Sequence, residues 1–197
     1  MRILIVGAKG TIGSEVVKAL SANNEIVEAS RSQTAVKVDI RDVASIRAMY
    51  QKVGKVDAVV SAAGSGAWKP LTQLTDEDFE VSLHYKLMGQ VNLIRYGFDH
   101  VSDHGSITVT SGVLSRDPMQ GSAAISLVNA GLEGFVRAAA MEAPRRIRVN
   151  VVSPPWVTET LEQMKMEGVP GLPAARVARA YALAVNGAQS GQVIEPA

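Results

Sequence analysis

Apolar residues along this chain come in short unbroken runs rather than strict alternation, separated by stretches with helical periodicity. Ile3-Leu4-Ile5-Val6 opens the pattern. Such a run suits a strand covered on both faces, as in a parallel sheet flanked by helices. Gly7 to Gly13 follows, and Ile12, Val16, Ala19 and Leu20 then recur at helical spacing. The first unit therefore reads strand, glycine loop, helix. Ile26-Val27 and Val36-Lys37-Val38 predict the next two strands. The stretch between them is too short for a helical crossover, which takes about 10–12 residues. Either that helix is reduced to a bare loop or one strand is misplaced.

Val43, Ile46, Met49, Tyr50 and Val53 predict an amphipathic helix, and Val56 to Ser61 a buried strand ending at Ala62-Ala63-Gly64. Thr75, followed by Asp76, Glu77 and Asp78, has the form of a capped helix start. The helix it opens carries Phe79, Leu83, Leu87, Val91, Ile94 and Phe98. Beyond it the pattern predicts a strand over Gly105–Ser111, a long helix from Pro118 to about Met141 and a strand over Ile147–Val152. A helix over Ala174–Val185 and a strand over Gln192–Ile194 complete it. This alternation predicts a single α/β domain over residues 1–197, a doubly wound, mostly parallel Rossmann sheet of about seven strands.

Composition narrows the function. With 20 Lys+Arg against 19 Asp+Glu, and no block of like charge, the chain lacks the basic footprint of a nucleic-acid or membrane-surface protein. The absence of cysteine removes thiolate chemistry, and His84, His100 and His104 have no metal-ligand spacing. No apolar run reaches the ~18 residues of a membrane span. A soluble, cytoplasmic protein acting on a small molecule is expected.

Gly7-Ala8-Lys9-Gly10-Thr11-Ile12-Gly13 lies between a predicted strand and a predicted helix. Glycines there turn the chain tightly and let backbone N–H groups approach a pyrophosphate, with the positive helix N-terminus behind them. The competing reading is a glycine-rich turn that binds nothing. Arg31 and Ser32 stand where the second strand ends, and Lys9 adds a cation from the glycine loop. Arginine at that strand end pairs with a 2′-phosphate, so NADP(H) is favoured over NAD(H). Two solvated surface cations are the alternative.

The chain resembles the short-chain dehydrogenase/reductase family over nearly its whole length. The resemblance rests on Gly7-x-x-Gly10-x-x-Gly13, Val38-Asp39-Ile40, Ala62-Ala63-Gly64, Gly105-Ser106-Ile107, Gly131-Leu132-Glu133-Gly134-Phe135, Arg148 to Pro154 and Gly191-Gln192-Val193. It implies adenine contacts at Asp39 and Ile40, a ribose contact at Ala62, Ala63 and Gly64, a nicotinamide contact at Pro154 and a further cofactor contact at Val157. It also implies a homodimer or homotetramer. Several positions depart from the family pattern. Gly10 and Thr11 stand where a polar residue and glycine are usual, Ala62 replaces an asparagine that ties strands together, and Pro155 replaces a glycine.

The family's reductases use Asn, Ser, Tyr and Lys. Registering on Gly131-Leu132-Glu133-Gly134 places Ile125 at the tyrosine position and Asn129 at the lysine position. Gly112 falls at the serine position with Ser111 beside it, and Lys86 at the asparagine position. No tyrosine occurs between Tyr96 and Tyr181. The usual mechanism is therefore not expected. Lys86, Ser111 and Asn129 are the candidates for another, with Lys86 polarising a carbonyl, holding a ribose, or acting as acid or base if desolvated. For Lys86 the alternative is bulk solvent, and for Ser111 and Ser115 a plain strand-end role. Three classes stay open: an NADP(H)-dependent oxidoreductase with a non-standard site, a silent cofactor-binding module, and a scaffold that binds no nucleotide.

Overall fold

In a computed structural model covering residues 1–197, the apolar runs form one parallel sheet. Its strands are β1 (Arg2–Val6), β2 (Glu25–Ser30), β3 (Val36–Lys37), β4 (Val56–Ser61), β5 (Val101–Thr110), β6 (Arg148–Val152) and β7 (Val193–Ile194). Their spatial order is β3-β2-β1-β4-β5-β6-β7, and every pairing is parallel. The winding direction reverses between β1 and β4. A crevice opens there beyond the strand ends, the position at which open α/β sheets hold ligands.

The unbroken run of β1 is explained by its two faces. Leu4 and Val6 point into a core shared with α2 (Val43–Val53), α4 (Gly89–Gly97) and α5 (Ala123–Glu142). Ile3 and Ile5 point into a second core shared with α1 (Thr11–Ser21) and α7 (Ala174–Asn186). Burial on both sides leaves no polar position from Ile3 to Val6.

β2 and β3 are joined by a bare loop, paired Ala29 to Val36 and Ser30 to Lys37. The short connection is therefore real and both strands stand. Thr75 caps α3 (Asp76–Val81) in a reciprocal capping box with Asp78. Strand β5 starts at Val101 rather than Gly105, and three helical stretches also differ from expectation. The long helix starts at Ala123 rather than Pro118, because Gly121 takes φ +87° and the Ser122 hydroxyl accepts from the Met119 N–H. A short helix, α6 (Thr158–Met164), occupies a stretch for which the pattern predicts no element. Its Glu159 carboxylate accepts from the Ala174 N–H and so caps α7.

The third difference bears on the site. The helix expected to run unbroken from Phe79 to Phe98 is interrupted by a π-helical stretch, Ser82–Met88, in which the Gly89 N–H donates to the His84 carbonyl five residues back. Such widened turns are rare and frequently mark functional sites. Lys86 lies within it. No helix of the chain is long and apolar enough to cross a membrane.

Candidate active site

The glycine loop joins β1 to α1 at the crevice. Gly7 has φ +84°, and a β-carbon there would sit 2.9 Å from the Ala62 backbone. At Gly13 a β-carbon would sit 2.0 Å from the Gly7 carbonyl oxygen. Any side chain at either position would push the loop out of its tight turn. Helix α1 opens at Gly10 with no side-chain cap, leaving its first turn, Thr11 to Gly13, to present backbone donors and a partial positive charge to the crevice. An anionic pyrophosphate fits that end.

Two cavities flank the loop and share Ala63 as a wall. The smaller, about 60 Å³, is lined by Gly7, Arg31, Asp39, Ile40 and Tyr85 among others. Arg31 is exposed at its rim. Asp39 binds the Arg41 guanidinium, which holds its carboxyl below the usual range, with Arg31 adding to the field. Tyr85, which sequence reasoning did not select, supplies an aromatic wall here. Ser32 lies outside both linings. Lys9, on the glycine loop, has its ammonium ion-paired with Glu28 at 2.5 Å.

The larger cavity, about 180 Å³, is walled by Ile12, Ala62, Ala63, Gly64, Pro154 and Val157, with Lys86, Ser111, Ile125 and Asn129 from other elements. The structure thus gathers four positions spread over 44 residues of sequence, Lys86 to Asn129, into one pocket. Lys86 is its sole ionisable lining residue, and no tyrosine lines it. Tyr181 reaches only the back of Thr110, with its hydroxyl 2.6 Å from Thr110 Oγ1.

Lys86 is 7% exposed, which rules out the bulk-solvent alternative. Its Nζ donates to the Ser111 carbonyl at 3.0 Å. Burial pushes its pKa down to about 8, since an ammonium loses more hydration there than one hydrogen bond returns. Gln90, fully buried four residues on, locks the turn. Its Oε1 accepts from the Thr110 N–H at 2.8 Å, while its Nε2 donates to the Thr110 carbonyl at 2.7 Å and the Lys86 carbonyl at 3.1 Å. Thr110 in turn donates its hydroxyl proton to the Ser61 carbonyl at 2.5 Å. These bonds tie β4, β5 and the π-helical stretch together where the resemblance expected an asparagine at position 62.

Ser111 lines the cavity, and its hydroxyl proton is engaged by a carboxylate. That hydroxyl donates to Glu133 Oε1 at 2.8 Å. The same oxygen accepts from Ser115 at 2.7 Å and Ser153 at 3.2 Å, and Arg116 Nη1 lies 3.7 Å away. Glu133 therefore fastens the ends of β5 and β6 to α5, fixing the carbonyl that holds Lys86. Asn129 donates Nδ2 to the Gly112 carbonyl at 3.3 Å, while its buried Oδ1 has no partner. An unpaired buried acceptor is costly, and the hydroxyl of a ribose would satisfy it. The residues present thus fit a nicotinamide dinucleotide: an uncapped helix end for pyrophosphate, an arginine-rimmed cavity on one side and an apolar cavity with an orphan acceptor on the other.

The chain matches known proteins over most of its length. Residues 11–189 match the sequence family described as enoyl-(acyl carrier protein) reductase. The chain is 30% identical over 156 residues to hydroxynaphthalene reductase arp2 of Aspergillus fumigatus, covering 77% of this chain and 55% of that protein. It is also 30% identical over 168 residues to an uncharacterized oxidoreductase of Schizosaccharomyces pombe, covering 77% and 65%. The chain thus spans between about half and two-thirds of these relatives' length. Among solved structures, the protein lin1944 from Listeria innocua superposes with a TM-score of 0.96 at 43% identity, over 99% of this chain and 98% of that one. A small-chain dehydrogenase in complex with NADPH superposes at 0.88 with 26% identity, over 99% and 95%.

Proposed function

The chain belongs to the short-chain dehydrogenase/reductase family, and from that premise we propose that it is an NADP(H)-dependent oxidoreductase acting on a small carbonyl or alcohol, with Lys86 as its acid. The observation that carries this reading is the buried lysine, the one ionisable group in the cavity beside the sheet's reversal point. The similar structure crystallised with NADPH supports the choice of cofactor, as does the arginine at the rim of the smaller cavity.

In this reading Thr11, Ile12 and Gly13 offer backbone donors to the pyrophosphate, and Arg31 reads the 2′-phosphate with Ser32 beside it. Asp39, Ile40 and Tyr85 enclose the adenine. Ala62, Ala63 and Gly64 form the floor between the halves, Asn129 Oδ1 accepts from the ribose, and Pro154 and Val157 face the nicotinamide. When bound, the nicotinamide supplies hydride chemistry. Lys86 Nζ donates a proton to the carbonyl oxygen as its carbon is reduced, and accepts it in the reverse direction. A pKa of about 8 suits this work, because general acids act best with a pKa near the working pH. The Ser111 carbonyl keeps the ammonium aimed, and the apolar walls exclude water.

Turnover of NADPH with a panel of aldehydes and ketones tests this directly. Wild-type protein is expected to reduce at least one class, with kcat falling at least 100-fold in Lys86→Met. Equal turnover in Lys86→Met would refute the role of Lys86. The family resemblance also carries assembly as a homodimer or homotetramer through α4 and α5, where the neighbouring Met88 and the α5 residue Leu127 are exposed. A monomer by light scattering would refute that assembly.

A further inference from the structure

The chain has two tryptophans, Trp68 and Trp156, and the fold packs Trp68 against Trp156 beside the larger cavity. Trp156 is part of the cavity wall. The rings meet edge to face, with centroids 5.4 Å apart and planes at 69°. They come from different loops, one after β4 and one after β6, and each is braced. On the Trp68 side, the Lys69 N–H donates to the Gly121 carbonyl at 3.1 Å and the Ala67 N–H to the Ser82 hydroxyl at 2.9 Å. Gly121 leaves room for the ring, since a β-carbon there would lie 3.2 Å from Trp68 Nε1. On the Trp156 side, Pro154 and Pro155 stiffen the chain before it, and the Leu172 N–H donates to the Trp156 carbonyl at 2.8 Å. Both indoles remain partly exposed.

Leu114 and Ile125 share the cavity lining with Trp156 as apolar walls, and Lys86 supplies its one charge. No carboxylate lines the cavity, so a cationic ligand is disfavoured. Its volume of about 180 Å³ is below the ~300–1,000 Å³ of sites for drug-sized ligands. A flat ring can lie against an indole face, an arrangement that aromatic pairs favour beyond simple area burial.

Resting on the oxidoreductase reading above, we infer that the substrate is a neutral ketone attached to a planar aromatic ring, with the ring face on Trp156 and the carbonyl oxygen reaching Lys86, Trp156 setting specificity and Trp68 holding it in place. Acetophenone and cyclohexyl methyl ketone test this, since they share a carbon skeleton and a carbonyl and differ in planarity. Calorimetric binding to the NADP⁺-loaded protein reads affinity without requiring turnover. Acetophenone is expected to bind about tenfold more tightly than the saturated ketone. Trp156→Phe is expected to keep that preference. Trp156→Leu is expected to reduce it to within about twofold, and Trp68→Leu to weaken it.

Equal affinities in the wild type, or an undiminished preference in Trp156→Leu, would overturn the inference. Benzoate binding more tightly than acetophenone would also overturn it, in favour of an anion paired with Lys86. Should Trp156→Leu fail to fold, the wild-type comparison alone decides. Ring-selective binding without turnover would refute the oxidoreductase reading and leave the ring site standing. Turnover of both ketones with no ring preference would do the reverse.

Discussion

The Lys86 ammonium is held 3.0 Å from the Ser111 carbonyl oxygen, a contact that joins a π-helical turn to the end of a central strand and leaves the charge facing an apolar cavity. It places a cation where the fold least easily solvates one. The pKa consequently falls from the ordinary 10.5 to about 8. At pH below 8 the lysine is charged in both folded and unfolded chains, and the full desolvation cost applies. Between 8 and 10.5 the unfolded chain keeps a proton that the folded one has released, so stability rises with pH across that window. Lys86→Met is therefore expected to stabilise the protein at pH 7 by about 1–3 kcal/mol, the lost hydrogen bond offsetting part of the gain. The advantage should disappear near pH 10. Urea unfolding at both pH values checks this, and the same difference at both would contradict a desolvated lysine.

The glycines of the loop are not equivalent. Gly13→Ala drives a β-carbon to 2.0 Å from the Gly7 carbonyl oxygen, whereas Gly10→Ala meets that atom at 3.4 Å, a contact a small shift relieves. Gly13→Ala should cost about 3 kcal/mol or more and abolish nucleotide binding. Gly10→Ala should cost less than about 1 kcal/mol. Thermal unfolding of the two variants side by side distinguishes them, and comparable losses would contradict the loop geometry.

Gln90 is the latch on the Lys86 turn. Gln90→Leu leaves the Thr110 N–H and carbonyl without their side-chain partner, at a cost of about 2–4 kcal/mol. If the latch also fixes Lys86, the pH midpoint of turnover should move away from 8. A destabilised variant with an unmoved midpoint would limit Gln90 to a structural part.

Arg31 at the rim of the smaller cavity and Lys9 in the glycine loop are both cations, yet only Lys9 is spent on a carboxylate, Glu28. Arg31→Ala is expected to weaken NADPH binding by at least about tenfold while leaving NADH unaffected. Lys9→Ala should change either affinity less than about threefold. Titration of both variants with both cofactors checks the contrast, and equal loss of NADPH and NADH in Arg31→Ala would contradict phosphate reading.

Much of this was visible in the residues. Ile3 to Val6 declares a strand buried on both faces, and the spacing from Gly7 to Gly13 declares a tight turn into a helix. Thr75 and Asp78 declare a cap. What stayed hidden depends on contacts between distant segments. Glu133 occupies an ordinary helical position, and only folding brings Ser111, Ser115 and Ser153 to one of its oxygens. Gln90 looks like a surface residue until Thr110 is placed beside it. Periodicity could not show the π-helical stretch, because Leu83 and Leu87 keep α-helical spacing through it, so Lys86 could be read as solvated. The Trp68–Trp156 pair is separated by 88 positions and has no local signature.

Occupation of the crevice between β1 and β4 by NADP(H), as proposed, is read from ligand-dependent stability. A ligand bound only by the native state and present at 100 times its dissociation constant stabilises by about 2.7 kcal/mol, or about 5–10 °C for a chain of this size. NADPH is expected to raise the melting temperature by that amount, and NADH at the same concentration by much less. No shift with either dinucleotide would contradict the account.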